Sequence, residues 1–170
     1  MAVQTSYADS VDTGFSGQLA DDGEHDIIAM TNDEVSAEIA FGRAVKFNST
    51  SVATSAALPS DESSIIAGIV VHSHRYLPTT ELGTTGLKPG VILNVLRKGR
   101  IKVTVEDAVQ VGDRLWVRGV AGGDPEFLGG LLPADDGTDT VDCTNQGVFL
   151  TEASAGALAV LEVDFTNRPT

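Results

Sequence analysis

The sequence contains little cysteine, few basic residues and no long apolar run. Cys143 is the one cysteine among 170 residues, so the chain can form no internal disulfide and cannot build a thiolate cage around a metal. No apolar run approaches the roughly 20 residues that a membrane-spanning helix requires, and no basic-then-apolar signal pattern opens the sequence. We therefore expect a protein that does not contact a membrane and stays in the compartment where it is made.

Basic residues are scarce, with 11 Lys and Arg against 24 Asp and Glu, and they are unevenly placed. Residues 1–40 carry nine acids and no Lys or Arg (−9), residues 41–118 carry six acids and ten bases (+4), and residues 119–170 carry nine acids and one base (−8), which sum to −13. Because such a chain repels phosphate, we expect no direct binding of nucleic acid. The acidic ends indicate either a solvated surface or contact with a basic partner.

Helical periodicity is also missing, since no convincing helix of ten or more residues can be drawn. In residues 34–47 the apolar side chains fall on odd positions and the polar ones on even positions, which is a strand period despite a helical alternative over residues 33–40. Two-residue turns at Lys98-Gly99 and Gly112-Asp113 predict hairpins. The predicted strands are residues 34–47, 65–71, 91–96, 101–105, 109–111, 115–117, 147–150 and 157–165.

Two long loops are predicted between these strands. Residues 48–64 are rich in Ser, Thr and Ala, and residues 77–90 end in Lys88-Pro89-Gly90, a sequence typical of a tight turn. Residues 1–33 show no sustained periodicity and predict an extended acidic arm. We therefore predict an all-β fold, a single antiparallel barrel or small sandwich over residues 34–170, with the arm preceding it.

The search for catalytic chemistry centres on His72-Ser73-His74, because two imidazoles two apart on a strand face the same side. With Gly68 and Glu81 the pair approaches the metal-binding pattern of cupins, but the spacing differs and the later histidine is missing. A structural role for the two histidines is the favoured interpretation. No nucleophile elbow or Walker pattern occurs, so we predict no catalytic residue, no metal and no cofactor.

Four cations are concentrated in six residues of the basic middle region: Arg97, Lys98, Arg100 and Lys102. They indicate either a solvated hairpin tip or a docking surface for acidic groups. Within the acidic arm, Phe15 and the pair Ile27 and Ile28 interrupt the polar composition. We therefore take these seven residues as candidate contacts with a partner protein or with a second subunit. Cys143 lies beside Asp142, which would raise rather than lower the pKa of a thiol, so we predict an inert cysteine.

Several blocks of the sequence resemble, in order and spacing, the structural cement proteins of tailed-phage capsids. The blocks are FGRAV at residues 41–45, AGIVVHSH at 67–74, NVLRKGRI at 94–101, GD at 112–113 followed by LWVR at 115–118, and AGALAVLEV at 155–163. Together they span most of residues 41–163. No single block is diagnostic, and the resemblance depends on their serial arrangement.

The resemblance implies a non-enzymatic protein of the virion, made in the host cytoplasm, that binds the outer capsid surface. Its implied partners are the major capsid protein and further copies of itself, as a homo-oligomer that we expect to be a trimer. Bridging by such an oligomer would draw its strength from several simultaneous contacts. Two alternatives from other classes are a phage tail or receptor-binding module and a small cupin-like metal enzyme.

Overall fold

The computed structural model describes residues 14–48, 54–73, 75–76, 80–122 and 126–166. Across these ranges the chain forms ten strands and one short 3-10 turn, Gly137–Asp139. The strands are β1 (Asp26–Asn32), β2 (Ala44–Phe47), β3 (Ser55–Ala57), β4 (Ile66–Val70), β5 (Ile92–Thr104), β6 (Trp116–Arg118), β7 (Leu131–Leu132), β8 (Thr140–Asp142), β9 (Gly147–Phe149) and β10 (Leu158–Asp164). The described ranges contain no helix long and apolar enough to cross a membrane.

Five strands close into a barrel, which confirms the all-β prediction. The order is β1-β3-β2-β4-β5, and β5 pairs back onto β1 to complete the ring. Only the β1–β3 pairing is parallel. Beyond the barrel, β10 and β9 continue the sheet from β5, while β6, β7 and β8 form a separate three-stranded sheet. Closure removes the free edges that an open sheet of this size would present.

Strand β5 is a single strand of 13 residues, so the predicted hairpin at Lys98-Gly99 is wrong. Its first half pairs with β4 on one edge and β1 on the other, and its second half pairs with β10. Gly99 has φ +132°, and a Cβ there would lie 2.9 Å from the Cβ of His25. The glycine therefore marks a close approach of a neighbouring segment within a strand, and not a turn.

The boundary predicted for the acidic arm also differs from the structure. The N–H of Gly17 donates to the carbonyl of Lys102 (2.8 Å), and the N–H of Ala20 donates to the carbonyl of Arg100 (2.9 Å). After an excursion over residues 21–25, β1 takes up the same edge of β5. Residues 17–20 and 26–32 thus belong to the barrel wall. Pairing with β5 and packing stabilise the four consecutive apolar residues of β1 more than exposure in an unpaired arm would. Residues 1–13 of the predicted arm lie outside the described residues.

Two further predictions are wrong in the region before β4. Residues 33–38 contain no strand, with a bend at Val35 and Ser36, and Val35 is 97% exposed. Regular pairing begins only with β2. The predicted loop over residues 48–64 contains β3, whose Ala56 and Ala57 are buried. Small side chains carry little apolar signal, yet they allow the close packing that this strand requires.

Several other predictions are confirmed. Strands β4, β9 and β10 lie within the predicted ranges. At Lys88-Pro89-Gly90 the N–H of Val91 donates to the carbonyl of Lys88 (3.3 Å) and Gly90 has φ +79°. The turn at Gly112 forms as well, but the predicted hairpin does not, because β6 pairs with β7 and β8 and not with the residues before the turn.

Candidate functional site

The two arginines among the four cations of β5 contact acids of the same chain. Arg100 contacts Asp21 (3.2 Å) and Glu162 (2.7 Å), which joins the excursion over residues 21–25 to β10. Arg97 contacts Asp26 at 3.6 Å. The hydrogen bonds and charges of Glu162 and Asp21 raise the pKa of Arg100. The predicted basic surface is therefore partly neutralised within the subunit, although its role as a contact remains a prediction.

An open cleft of about 430 Å³ lies beside this cluster. Lys98, Arg100 and Arg114 line it together with Asp21, Glu162 and Asp164. Hydrogen bonds from Thr166 lower the pKa of Asp164, with smaller contributions from Lys98 and Arg97. Because groups of both signs line the cleft, with Glu24 as a further acid, its walls do not form a site for a ligand of one charge.

The apolar candidate contacts occupy different positions. Phe15 is 42% exposed and its ring lies 4.4 Å from that of His72, which in turn lies 4.6 Å from Phe41. Ile27 is exposed on β1, whereas Ile28 packs against the core. His72 thus stands between two phenyl rings, while His74 lies outside the described residues. Among the residues that the structure does describe, no group of three His, Cys, Asp or Glu side chains converges as a metal ion would require.

A buried ion network joins the three-stranded sheet to the barrel, and sequence reasoning missed it. Arg118 donates to Glu106 (3.1 Å) and to Asp136 (2.6 Å), with the Arg118 and Glu106 side chains only 3% and 5% exposed. Arg43 approaches the other oxygen of Glu106 at 3.5 Å. These residues are far apart in the sequence and form no local pattern. The sequence shows only that each is a charged residue close to an apolar strand.

Burial dominates the electrostatics of this network. Removal from water raises the pKa of Glu106, although hydrogen bonds from Arg118 and from the backbone of Phe127 oppose the shift. Burial likewise lowers the pKa of Arg43, against the attraction of Glu106. Glu106 also accepts the Phe127 N–H at 2.9 Å. The network therefore fastens the segment around Phe127 to both sheets.

Cys143 is buried, and desolvation together with Asp142 raises its pKa to about 12. In the unfolded chain the thiol titrates near its ordinary value of 9.0. Because the folded value is raised, the stability contributed by the neutral thiol is complete below pH 9 and is lost as the pH rises towards 12. At pH 10.5 we expect wild type to have lost about 2 kcal/mol relative to a Cys143→Ala variant, measured by urea unfolding at pH 8 and pH 10.5.

A thiol reagent supplies the control for this prediction. At pH 8 we expect native protein to react much more slowly than protein in urea, since only the unfolded chain exposes a thiol that can ionise. Rapid labelling of the native protein, or parallel pH profiles for wild type and Cys143→Ala, would contradict the assignment.

Comparisons with known proteins agree with this architecture. Residues 3–164 match the phage family described as structural cement protein (E217 gp24/Pam3 gp6). A chain from a solved structure, the capsid of Myoviridae phage XM1, superimposes with a TM-score of 0.66 at 21% identity, covering 96% of this chain and 98% of that chain. At that identity the likeness shows a common fold. No curated protein matches the sequence.

The family match extends over nearly the whole chain, including the barrel, the three-stranded sheet and the N-terminal segment that borders β5. It also covers most of residues 41–163, where the sequence blocks resemble cement proteins. The chain therefore belongs to the family of phage structural cement proteins.

Proposed function

We propose that this protein is a non-enzymatic cement subunit that binds the outer surface of a phage capsid and bridges neighbouring major capsid subunits, acting as a homotrimer. Family membership is the observation that carries the proposal. The fold shared with a chain of a phage capsid structure supports it.

The charge distribution adds physical support for binding to a protein shell. The chain has a net charge of −13, and Arg43, Arg97, Arg100 and Arg118 each contact a carboxylate of the same chain. The charge left to face outward is therefore mainly acidic. A surface of this kind favours a basic protein partner through electrostatic steering and disfavours nucleic acid.

Exposed apolar side chains in the N-terminal part supply further contacts. Phe15 and Ile27 are both partly exposed, and residues 1–13 precede Gly14 at the barrel wall. We propose that these N-terminal residues reach a neighbouring subunit, while Lys98 and Lys102 on β5 supplement the contact. Each contact can be weak, because an oligomer that engages several shell subunits gains affinity through avidity.

Deletion of residues 2–13 tests this arrangement. In co-sedimentation with capsids that lack their cement protein, we expect wild type to bind in a saturable manner and the deletion variant to bind at least tenfold more weakly, since loss of one of several linked contacts costs effective concentration. Thermal unfolding checks that the barrel is intact in the variant.

Deletion of residues 167–170 serves as the control, because it shortens the chain without touching the N-terminal segment. Equal capsid affinity of wild type and the N-terminal deletion would remove these residues from the interface. Absence of wild-type binding at any protein concentration would contradict the cement function itself.

A further inference from the structure

Phe127 is an aromatic side chain that is exposed and yet held by polar contacts. Its side chain is 45% exposed. Its N–H donates to Glu106 (2.9 Å), its carbonyl accepts from Arg43 (3.5 Å), and the Arg43 guanidinium lies 4.9 Å from the centre of the ring. An aromatic ring that is fixed before binding loses little entropy when a partner covers it, which is the property of an interface anchor.

The network that fixes Phe127 contributes little net stability, because removing its charged groups from water costs free energy. Glu106 and Arg118 are almost fully removed from water, and burial raises the pKa of Glu106. Well-packed apolar residues often serve a fold as well as a buried ion pair does, so such a pair is weak evidence for stability. Its specific effect in this structure is to set the position of Phe127.

An acidic cleft lies next to the segment that carries Phe127. This cleft of about 200 Å³ is lined by Glu106 and Glu126, which contact or adjoin Phe127, and by Asp107, Asp135 and Asp136. Arg118 is the cation that lines this cleft, and it is already bound by Glu106 and Asp136. An exposed ring on the segment that borders this mainly acidic cleft fits a partner segment that pairs an apolar side chain with a Lys or Arg.

We propose that the surface formed by Phe127, Asp107 and Glu126 is a docking surface for a basic, partly apolar segment of the capsid shell protein. This proposal rests on the proposed cement function and names the face that meets the shell. The complementary charge argues for a foreign partner over a second copy, because four of the arginines of this chain already contact its own carboxylates.

Two variants test the surface by co-sedimentation with capsids that lack their cement protein. Phe127→Ser removes the ring, and we expect at least a tenfold loss of affinity. The double variant Asp107→Asn with Glu126→Gln keeps the ring and removes two charges. We expect it to bind more weakly at low salt and to show a flatter dependence on salt concentration than wild type.

Matched controls lie elsewhere on the surface. Val111→Ser removes an exposed apolar side chain, and Asp22→Asn with Glu152→Gln removes the same number of exposed carboxylates. We expect both control proteins to bind within twofold of wild type. Phe127→Tyr should retain wild-type affinity, and thermal unfolding should show that every variant is folded.

The outcomes separate this surface from the function on which it rests. If wild type binds capsids and both test variants bind equally well, the surface is wrong and the cement function stands. If Phe127→Ser lowers the mass measured by light scattering while capsid affinity is unchanged, the surface joins copies of this chain and the proposal is overturned. If wild type itself fails to bind, both the cement function and this docking surface are contradicted.

Discussion

Replacement of Glu106 by alanine is expected to lower the free energy of unfolding by about 3–5 kcal/mol, because it leaves a buried guanidinium without its main partner. Arg118 is 3% exposed and would retain only Asp136, whose side chain is 56% exposed. The N–H of Phe127 would lose its acceptor in the same variant. Urea denaturation followed by fluorescence or circular dichroism measures the loss.

A double-mutant comparison distinguishes a stranded charge from lost packing. In Glu106→Leu with Arg118→Met both buried charges are absent, so we expect this protein to be at least about 2 kcal/mol more stable than Glu106→Ala. Arg100→Ala is the surface counterpart, since its pairs with Asp21 and Glu162 are half-exposed and exposed pairs contribute little. Equal losses in Glu106→Ala and Arg100→Ala would contradict the special role of the buried network.

Gly68→Ala is expected to destabilise the barrel by about 3 kcal/mol, through overpacking between two paired strands. Gly68 lies in β4, and a Cβ built on it would be 2.2 Å from the carbonyl oxygen of Leu96 and 2.8 Å from the Val95 side chain. The obstructing oxygen belongs to the backbone of β5, which is paired on both edges at this level and cannot retreat. Thermal and urea unfolding of the variant test the prediction.

Gly112→Ala is the control that separates two causes of lost stability, a steric clash of the new Cβ and the cost of a positive φ. Gly112 has a positive φ, +95°, as Gly68 does (+155°), but a Cβ at Gly112 would meet no atom within 4 Å. We expect a loss of only about 1–2 kcal/mol, the cost of placing an L-residue in that conformation. If the two alanine variants lose the same stability, contact with Leu96 does not determine the effect.

Some strands were predictable from the sequence, whereas the alternation over residues 34–47 predicted a strand that forms only at β2. The run that forms β4 and the alternation of Leu161 and Val163 with Glu162 in β10 each gave the right element, because these residues face a core directly. The turn at Pro89-Gly90 was predictable for a local reason, since its backbone angles follow from the two residues themselves.

The errors arise where distant segments decide the local structure. Gly99 reads as a turn residue in isolation, but the approach of His25 and the pairing with β10 make it part of a continuous strand. Strand β1 is flanked by acidic residues, and it forms because its backbone pairs with one edge of β5. The partners of the β5 cations and the position of Phe127 likewise depend on contacts between remote residues, which no local pattern records.

Strand β5 also has a consequence for the kinetics of folding. It pairs with β1 and with β10, which lie more than 50 residues before it and after it in the sequence. Such non-local pairings close large loops before they yield contacts, and folds built from them mature in milliseconds to seconds. Until Asp164 has emerged from the ribosome, the second half of β5 lacks its partner on the edge that β10 occupies. That edge is therefore open to misassociation during synthesis.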